Sequence, residues 1–228
     1  MKIVEHYSDV ERIRAKLVEE DIVVTYHDEQ DVLLKYDGDF NNKIQITCEN
    51  NELVIERKLS IETLVCIRIT KGILQLFLPK PRNIDLKLKS TSGHVQVYVD
   101  ANQLDIESVS GRLESHGKGT HAIMTTISGG IRQFKPYQRL NFKTTSGNVK
   151  LSAKANCDYS GSTVSGSVLI ALHENDGYIM RFKSVSGRFI DKYNAKKISG
   201  TAELSQGNTK SKFLVSTISG NVKLDDWA

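Results

Sequence analysis

The dipeptide Ser-Gly recurs through the second two-thirds of the chain in a fixed context. It stands at Ser92-Gly93, Ser110-Gly111, Ser128-Gly129, Ser146-Gly147, Ser165-Gly166, Ser186-Gly187, Ser199-Gly200 and Ser219-Gly220. The first three steps are 18 residues each, and later ones are 19, 21, 13 and 20, so Ser199-Gly200 falls out of step. Two residues before the serine lies a hydroxyl side chain: Ser90, Ser108, Thr126, Thr144, Thr163, Ser184 or Thr217, with Lys197 as the exception. Four and six residues before it the positions are mostly apolar, as in Leu88 and Leu86 or Ile106 and Leu104, with Gly161 breaking the row. Two residues after the glycine comes Val95, Leu113, Ile131, Val149, Val168, Phe189, Ala202 or Val222. A period of this length is the signature of a solenoid and constrains the fold more than any other feature.

Alternating apolar residues mark strands with one buried face. Each unit therefore has one strand before Ser-Gly and one after it, with glycine expected to give the backbone freedom for a tight corner. A second corner is expected near Asp100-Ala101-Asn102 and near Gly117-Lys118-Gly119. Stacked units of about 18–21 residues would pair like strand with like strand, at roughly 4.8 Å per level. One coil cannot bury its own apolar row, so its stability comes from its neighbours. The repeated serines are expected to form a hydroxyl ladder facing the interior or the corner, as lattice elements and not as nucleophiles.

The first eighty residues lack the repeat. Segments 21–27, 31–36, 43–48, 52–57, 64–69 and Leu74–Leu78 read as short strands, with Asn50-Asn51 and Asp37-Gly38 as turn chemistry. Pro79-Lys80-Pro81 marks the junction. The expected organisation is all-β: an N-terminal antiparallel β module over residues 1–81, then a parallel β-solenoid over 82–228. Between Asp9 and Val18 the spacing alone slightly favours a helix over a strand.

Several features run in family order: Asp21-Ile22-Val23-Val24, Asn51-Glu52-Leu53-Val54-Ile55-Glu56, Leu76-Phe77-Leu78-Pro79-Lys80, Leu86-Lys87-Leu88-Lys89-Ser90-Thr91-Ser92-Gly93, and then the Ser-Gly units. In this order the chain resembles the bacterial putative-adhesin β-strand-repeat family, a domain of unknown function whose members include surface proteins of the Lia-type envelope-stress response. The resemblance covers nearly the whole chain. It implies a strand at residues 12–18, a cell-surface or envelope-associated setting, and no catalytic residues.

Charge is segregated. Residues 1–81 hold eleven Lys/Arg against fifteen Asp/Glu, and residues 82–228 hold twenty against twelve. A basic half is suited to an anionic envelope polymer, an anionic membrane surface, or the acidic half of a second copy. No stretch approaches the roughly 18 apolar residues of a transmembrane helix. Met1-Lys2-Ile3-Val4-Glu5-His6 lacks the apolar run of a signal peptide, which keeps a cytoplasmic setting open beside the surface one. Cys48, Cys66 and Cys157 form no CxxC pair and are expected as reduced thiols.

Chemistry-bearing candidates are few. The histidines His6, His27, His94, His116, His121 and His173 show no metal-ligand spacing, and no metal or cofactor is expected. Gly117-Lys118-Gly119-Thr120 lacks the first glycine of a phosphate loop and reads as a corner. Arg132-Gln133-Phe134-Lys135-Pro136-Tyr137-Gln138-Arg139 mixes bases with aromatics as single-strand sites do, yet sits where a corner is required, and no specific nucleic acid is expected. Asp225-Asp226 reads as a solvated pair, and Trp227 as a cover for the last coil. The sequence points to a non-catalytic binding or scaffold protein. The alternatives are a carbohydrate-active solenoid enzyme, which needs carboxylates clustered on adjacent coils, and a cytoplasmic self-assembly module.

Overall fold

A computed structural model of the chain describes residues 2–38, 44–57, 72–80, 84–173, 177–207 and 211–225. Every regular element among them is a strand, and all strands belong to one hydrogen-bonded sheet. In chain order they begin with β1 (Lys2–Tyr7), β2 (Arg12–Lys16), β3 (Asp21–His27), β4 (Val32–Asp37), β5 (Ile44–Glu49), β6 (Glu52–Arg57) and β7 (Ile73–Pro79). Next come β8 (Asp85–Ser90), β9 (Val95–Val97), β10 (Gln103–Ser108), β11 (Leu113–Ser115), β12 (Gly119–Thr126), β13 (Ile131–Gln133), β14 (Tyr137–Lys143) and β15 (Val149–Ala153). The last are β16 (Asp158–Thr163), β17 (Val168–Leu172), β18 (Gly177–Asp191), β19 (Lys196–Gly207), β20 (Ser211–Thr217) and β21 (Val222–Leu224). The strand expected at 64–69, together with Cys66, Pro81, Asp226 and Trp227, lies outside the described residues.

The period-two alternation puts its apolar members inside. Leu86 pairs in parallel with Leu104, Leu104 with Ala122, Ala122 with Leu140, and Leu140 with Tyr159, and all five are buried. Beyond the Ser-Gly corner, Val95, Leu113, Ile131, Val149 and Val168 form a second such column. Gly161 interrupts the inner row because Phe142, one coil away, fills its place: a Cβ on Gly161 would lie 2.4 Å from the Phe142 ring. One buried cluster runs from Val10 to Leu224.

The levels do not follow chain order at either end. β16 and β17 pair with β20 and β21, and these pair with β18. The segment 211–224 is therefore inserted between coil 158–172 and the outermost coil, 177–191. The N-terminal end repeats the device. β2 lies between β6 and β8, and β3 between β7 and β9, all in parallel. Along the rod the levels are β6–β7, β2–β3, β8–β9, β10–β11, β12–β13, β14–β15, β16–β17, β20–β21 and β18. Antiparallel strands cover the outermost levels: β5 on β6, β4 on β7 with β1 beyond it, and β19 on β18. Asn50 and Asn51, at φ 50° and 61°, make the two-residue hairpin turn between β5 and β6.

This corrects the expectation of an antiparallel N-terminal module. Among the described residues, antiparallel pairing there is confined to β1–β4, β4–β7 and β5–β6, while β2 and β3 join the parallel stack beside β8 and β9. Alternation says which face of a strand is buried, not which strand lies beside it. Residues 12–16 are a strand, as the resemblance implied and against the helical spacing. Ile13 and Ala15 stack on Leu86 and Leu88, which the period of two serves and the helical period does not. Ser199-Gly200 lies on antiparallel β19, outside the stacked corners, with Gly200 at φ 83°.

Candidate functional site

The repeated corner has four positions: a buried hydroxyl, a variable residue, the serine and the glycine. The oxygens of Ser90, Ser108, Thr126, Thr144, Thr163, Thr217 and Ser184 accept the N–H of the glycine three residues on, at 2.7–3.1 Å. The hydroxyls of Ser90, Ser108, Thr126, Thr144, Thr217 and Ser184 also donate to backbone carbonyls of the adjacent coil, Ser90 to Glu20 O at 3.1 Å and Ser184 to Ile218 O at 3.3 Å. The interior hydroxyls are thus those two residues before the repeated serine. Ser92, Ser110, Ser128, Ser146, Ser165, Ser186 and Ser219 are themselves exposed.

The glycines Gly93, Gly111, Gly129, Gly147, Gly166, Gly187 and Gly220 are buried, and none has positive φ. Contact, not backbone freedom, explains them. A Cβ on Gly111 would lie 1.9 Å from Gly93 O, on Gly129 1.9 Å from Gly111 O, and on Gly147 1.7 Å from Gly129 O. The coils approach so closely at this corner that only a residue without a side chain fits. Where coil β2–β3 lacks Ser-Gly, the buried Glu20 does the capping. Its carboxylate accepts from Val18 N and Glu19 N at 3.0 and 3.1 Å and faces Arg57 at 3.3 Å.

The variable position points outward. Along the rod it holds Thr91, Val109, Ile127, Thr145, Val164, Ile218 and Val185. Backbone bonds join these levels directly, from Val109 N to Thr91 O at 3.0 Å through Ile218 N to Val164 O at 3.2 Å. The five aliphatic members are 41–80% exposed. The C-terminal part of this row, Thr145, Val164, Ile218 and Val185, lines a shallow hollow of about 480 Å³ together with Lys143 and Lys183. Sequence reading passed over the row because it tracked the buried columns, although the spacing that reveals it is the same.

A second outward row was missed for the same reason. Tyr98, His116 and Phe134 stack face to face, with centroids 4.4 and 4.1 Å apart and planes within 16°. Glu114 beneath them is nearly buried, receives Gln96 Nε2 at 3.1 Å, and has Arg112 and Arg132 within 3.7 Å. Burial holds the His116 imidazole below its ordinary pKa, against the opposing pull of Glu114.

The suspected chemical motifs become lattice. Gly117 and Gly119 each abut a backbone carbonyl of the coil below, and Lys118 N is taken by Asp100 Oδ1 at 2.9 Å. In the Arg132–Arg139 stretch, Tyr137 is fully buried and Phe134 is spent on His116. Around the hollow near Arg14 and His121 stand Glu52, Asp85 and Asp105. Glu52 pairs with Arg14 at 2.9 Å, Asp105 with Lys87 at 3.0 Å, and Asp85 accepts from Gln103 N at 3.2 Å. Asp225 pairs with Lys192. Burial pushes the Cys157 thiol up to about 11, the unreactive direction, while Cys48 is exposed. Among the described residues no group of three or more His, Cys, Asp or Glu could hold a metal ion. No described helix is long and apolar enough to cross a membrane.

Charge is graded along the rod. Residues 82–130 hold five Lys/Arg and five Asp/Glu, whereas residues 131–228 hold fifteen against seven. The basic excess therefore sits in the coils farthest from the acidic N-terminal end.

These features define a capped β-solenoid whose surface is built from repeated rows. The chain belongs to the Toastrack DUF4097 family, whose model matches residues 85–225. Its fold is shared by a solved structure described as a putative adhesin from Bacteroides fragilis, at 14% identity and TM-score 0.57, covering 99% of this chain and 97% of that one. A protein from Parabacteroides distasonis described as a putative lipid binding protein is similar at 14% identity and TM-score 0.56, covering 99% and 96%. A putative adhesin from the same organism is similar at 13% identity and TM-score 0.53, covering 98% and 96%. No curated protein sequence matches the chain.

Proposed function

We propose that this chain is a non-catalytic binding or scaffold protein of the bacterial envelope, a rigid rod that presents repeated surface rows and a basic end to an anionic partner. The observation that carries this reading is the charge gradient on a stack held in register by backbone ladders. Fifteen cationic side chains against seven acidic ones lie in residues 131–228, and several, including Lys143, Lys183 and Arg188, are exposed. The descriptions of the structural neighbours as adhesins and as a lipid binding protein agree with binding as the role. The family resemblance supports an envelope setting and an association with envelope stress.

The test is retention of the purified protein on immobilised anionic envelope components over a salt series. Binding at low salt that weakens steadily as screening grows is the expected result. Failure to bind any of them at low salt overturns the reading. Protease shaving of intact cells, with a cytoplasmic protein as control, tests the setting separately.

A second reading, self-assembly through the rod ends, is favoured by one feature: among the described residues β19 is paired only along its β18 edge. An open edge of this kind is a template for another strand. Concentration-dependent oligomers in sizing experiments would support it.

A further inference from the structure

The outward row at the Ser-Gly corner is more apolar than the corner requires. Thr91 and Thr145 occupy the same position in the same geometry, so a β-branched polar residue serves the turn equally well. At the C-terminal end of the rod three successive levels nevertheless carry Val164, Ile218 and Val185, exposed by 41%, 51% and 80%. Their levels are joined by Ile218 N to Val164 O at 3.2 Å and Ser186 N to Ile218 O at 2.8 Å, so the three form one continuous edge. The three side chains line a shallow hollow of about 480 Å³ at the corner between two sheet faces. Lys143 and Lys183 stand on one side of it and Arg188 on the other, all exposed.

Exposed hydrocarbon with cations on both flanks fits an interface that is itself apolar below an anionic layer. A second copy docking through the same edge would bring lysine toward lysine and arginine toward arginine. A soluble polyanion would use the cations and leave the three aliphatic side chains in water. Building on the reading that the partner is anionic, we propose that this edge is a membrane-docking site for an anionic lipid bilayer. Val164, Ile218 and Val185 enter the boundary between headgroups and acyl chains, and Lys143, Lys183 and Arg188 meet the lipid phosphates.

The test is co-sedimentation of the full chain with vesicles of equal parts phosphatidylglycerol and phosphatidylcholine, and with vesicles of phosphatidylcholine alone. The wild type is expected to bind the anionic vesicles preferentially. Val164→Thr/Ile218→Thr/Val185→Thr is expected to weaken that binding about tenfold or more, since each removed methyl forfeits buried hydrocarbon. Its thermal midpoint and its binding to soluble polyphosphate should stay unchanged, because threonine already occupies this position at two levels. Lys143→Gln/Lys183→Gln/Arg188→Gln is expected to abolish the lipid preference. If the wild type binds polyphosphate but not anionic vesicles, or if the threonine variant binds vesicles as the wild type does, the docking edge is overturned while the anionic-partner reading stands. If the wild type binds neither, both fall.

Discussion

Gly129 and Gly130 are neighbours in sequence but not in consequence. A Cβ on Gly129 would sit 1.9 Å from Gly111 O, a contact with backbone that cannot rotate away, whereas one on Gly130 would sit 3.4 Å from Asn148 O. Neither glycine has positive φ, so the difference is one of space alone. Gly129→Ala is expected to cost about 3 kcal/mol or more, the overpacking range, and Gly130→Ala less than about 1 kcal/mol. Denaturant unfolding of the two variants checks this, and equal losses would refute the contact argument. The importance of the Ser-Gly glycines was legible from their recurrence. Their reason was not, because a short local pattern does not report how closely the next coil passes. The same applies to the hydroxyls: Thr126, not Ser128, is the buried one that caps Gly129 N.

At the scale of the strand, the rows are the unit. Tyr98, His116 and Phe134 extend β9, β11 and β13 by one residue each and stack because parallel registry brings equivalent positions together. His116 faces Glu114 at 3.9 Å, with Arg112, Arg132 and Lys135 also nearby. Since burial lowers its pKa in the fold, the native state holds fewer protons than the unfolded state near that pH. The stacked neutral ring therefore contributes stability that is complete above the unfolded value, about 6.5, and is lost as pH falls through and below it. Thermal melts between pH 7.5 and pH 5 should show a decline that is smaller in His116→Phe, which keeps the ring stack without the titration. An identical decline in both proteins would count against His116 as its source.

At the scale of the whole molecule, the order of levels matters most. In a simple solenoid the last residues form the last coil, and removing them strips one level. Here β20 and β21 lie beneath β18, so ending the chain at Gly207 would leave β18 without its parallel partners and uncover β16 and β17. That truncation is expected to make residues 177–207 accessible to limited proteolysis and to lower the thermal midpoint by more than one level's worth of contacts. Continued protection of 177–207 would argue that β18 can dock directly on β16. The inserted coils also hold the antiparallel covers in place, since among the described residues β19 pairs with the stack only through β18.

Much of this protein was determined by its sequence alone. Alternation along the strands sets which side chains face inward, and recurrence of hydroxyl, serine and glycine sets where the chain turns. Together they specify an all-β stack, and the charge count specifies an acidic beginning and a basic end. Which coil rests on which was decided by tertiary structure. Ladder bonds use backbone groups that are the same at every residue, and the inward columns are aliphatic or aromatic at almost every level, so many orders of stacking satisfy the local pattern. The observed order is the one that buries both outermost coils between an inserted neighbour and an antiparallel cover. The apolar edge of Val164, Ile218 and Val185 exists only in that order, because it depends on residue 218 coming to lie between residues 164 and 185.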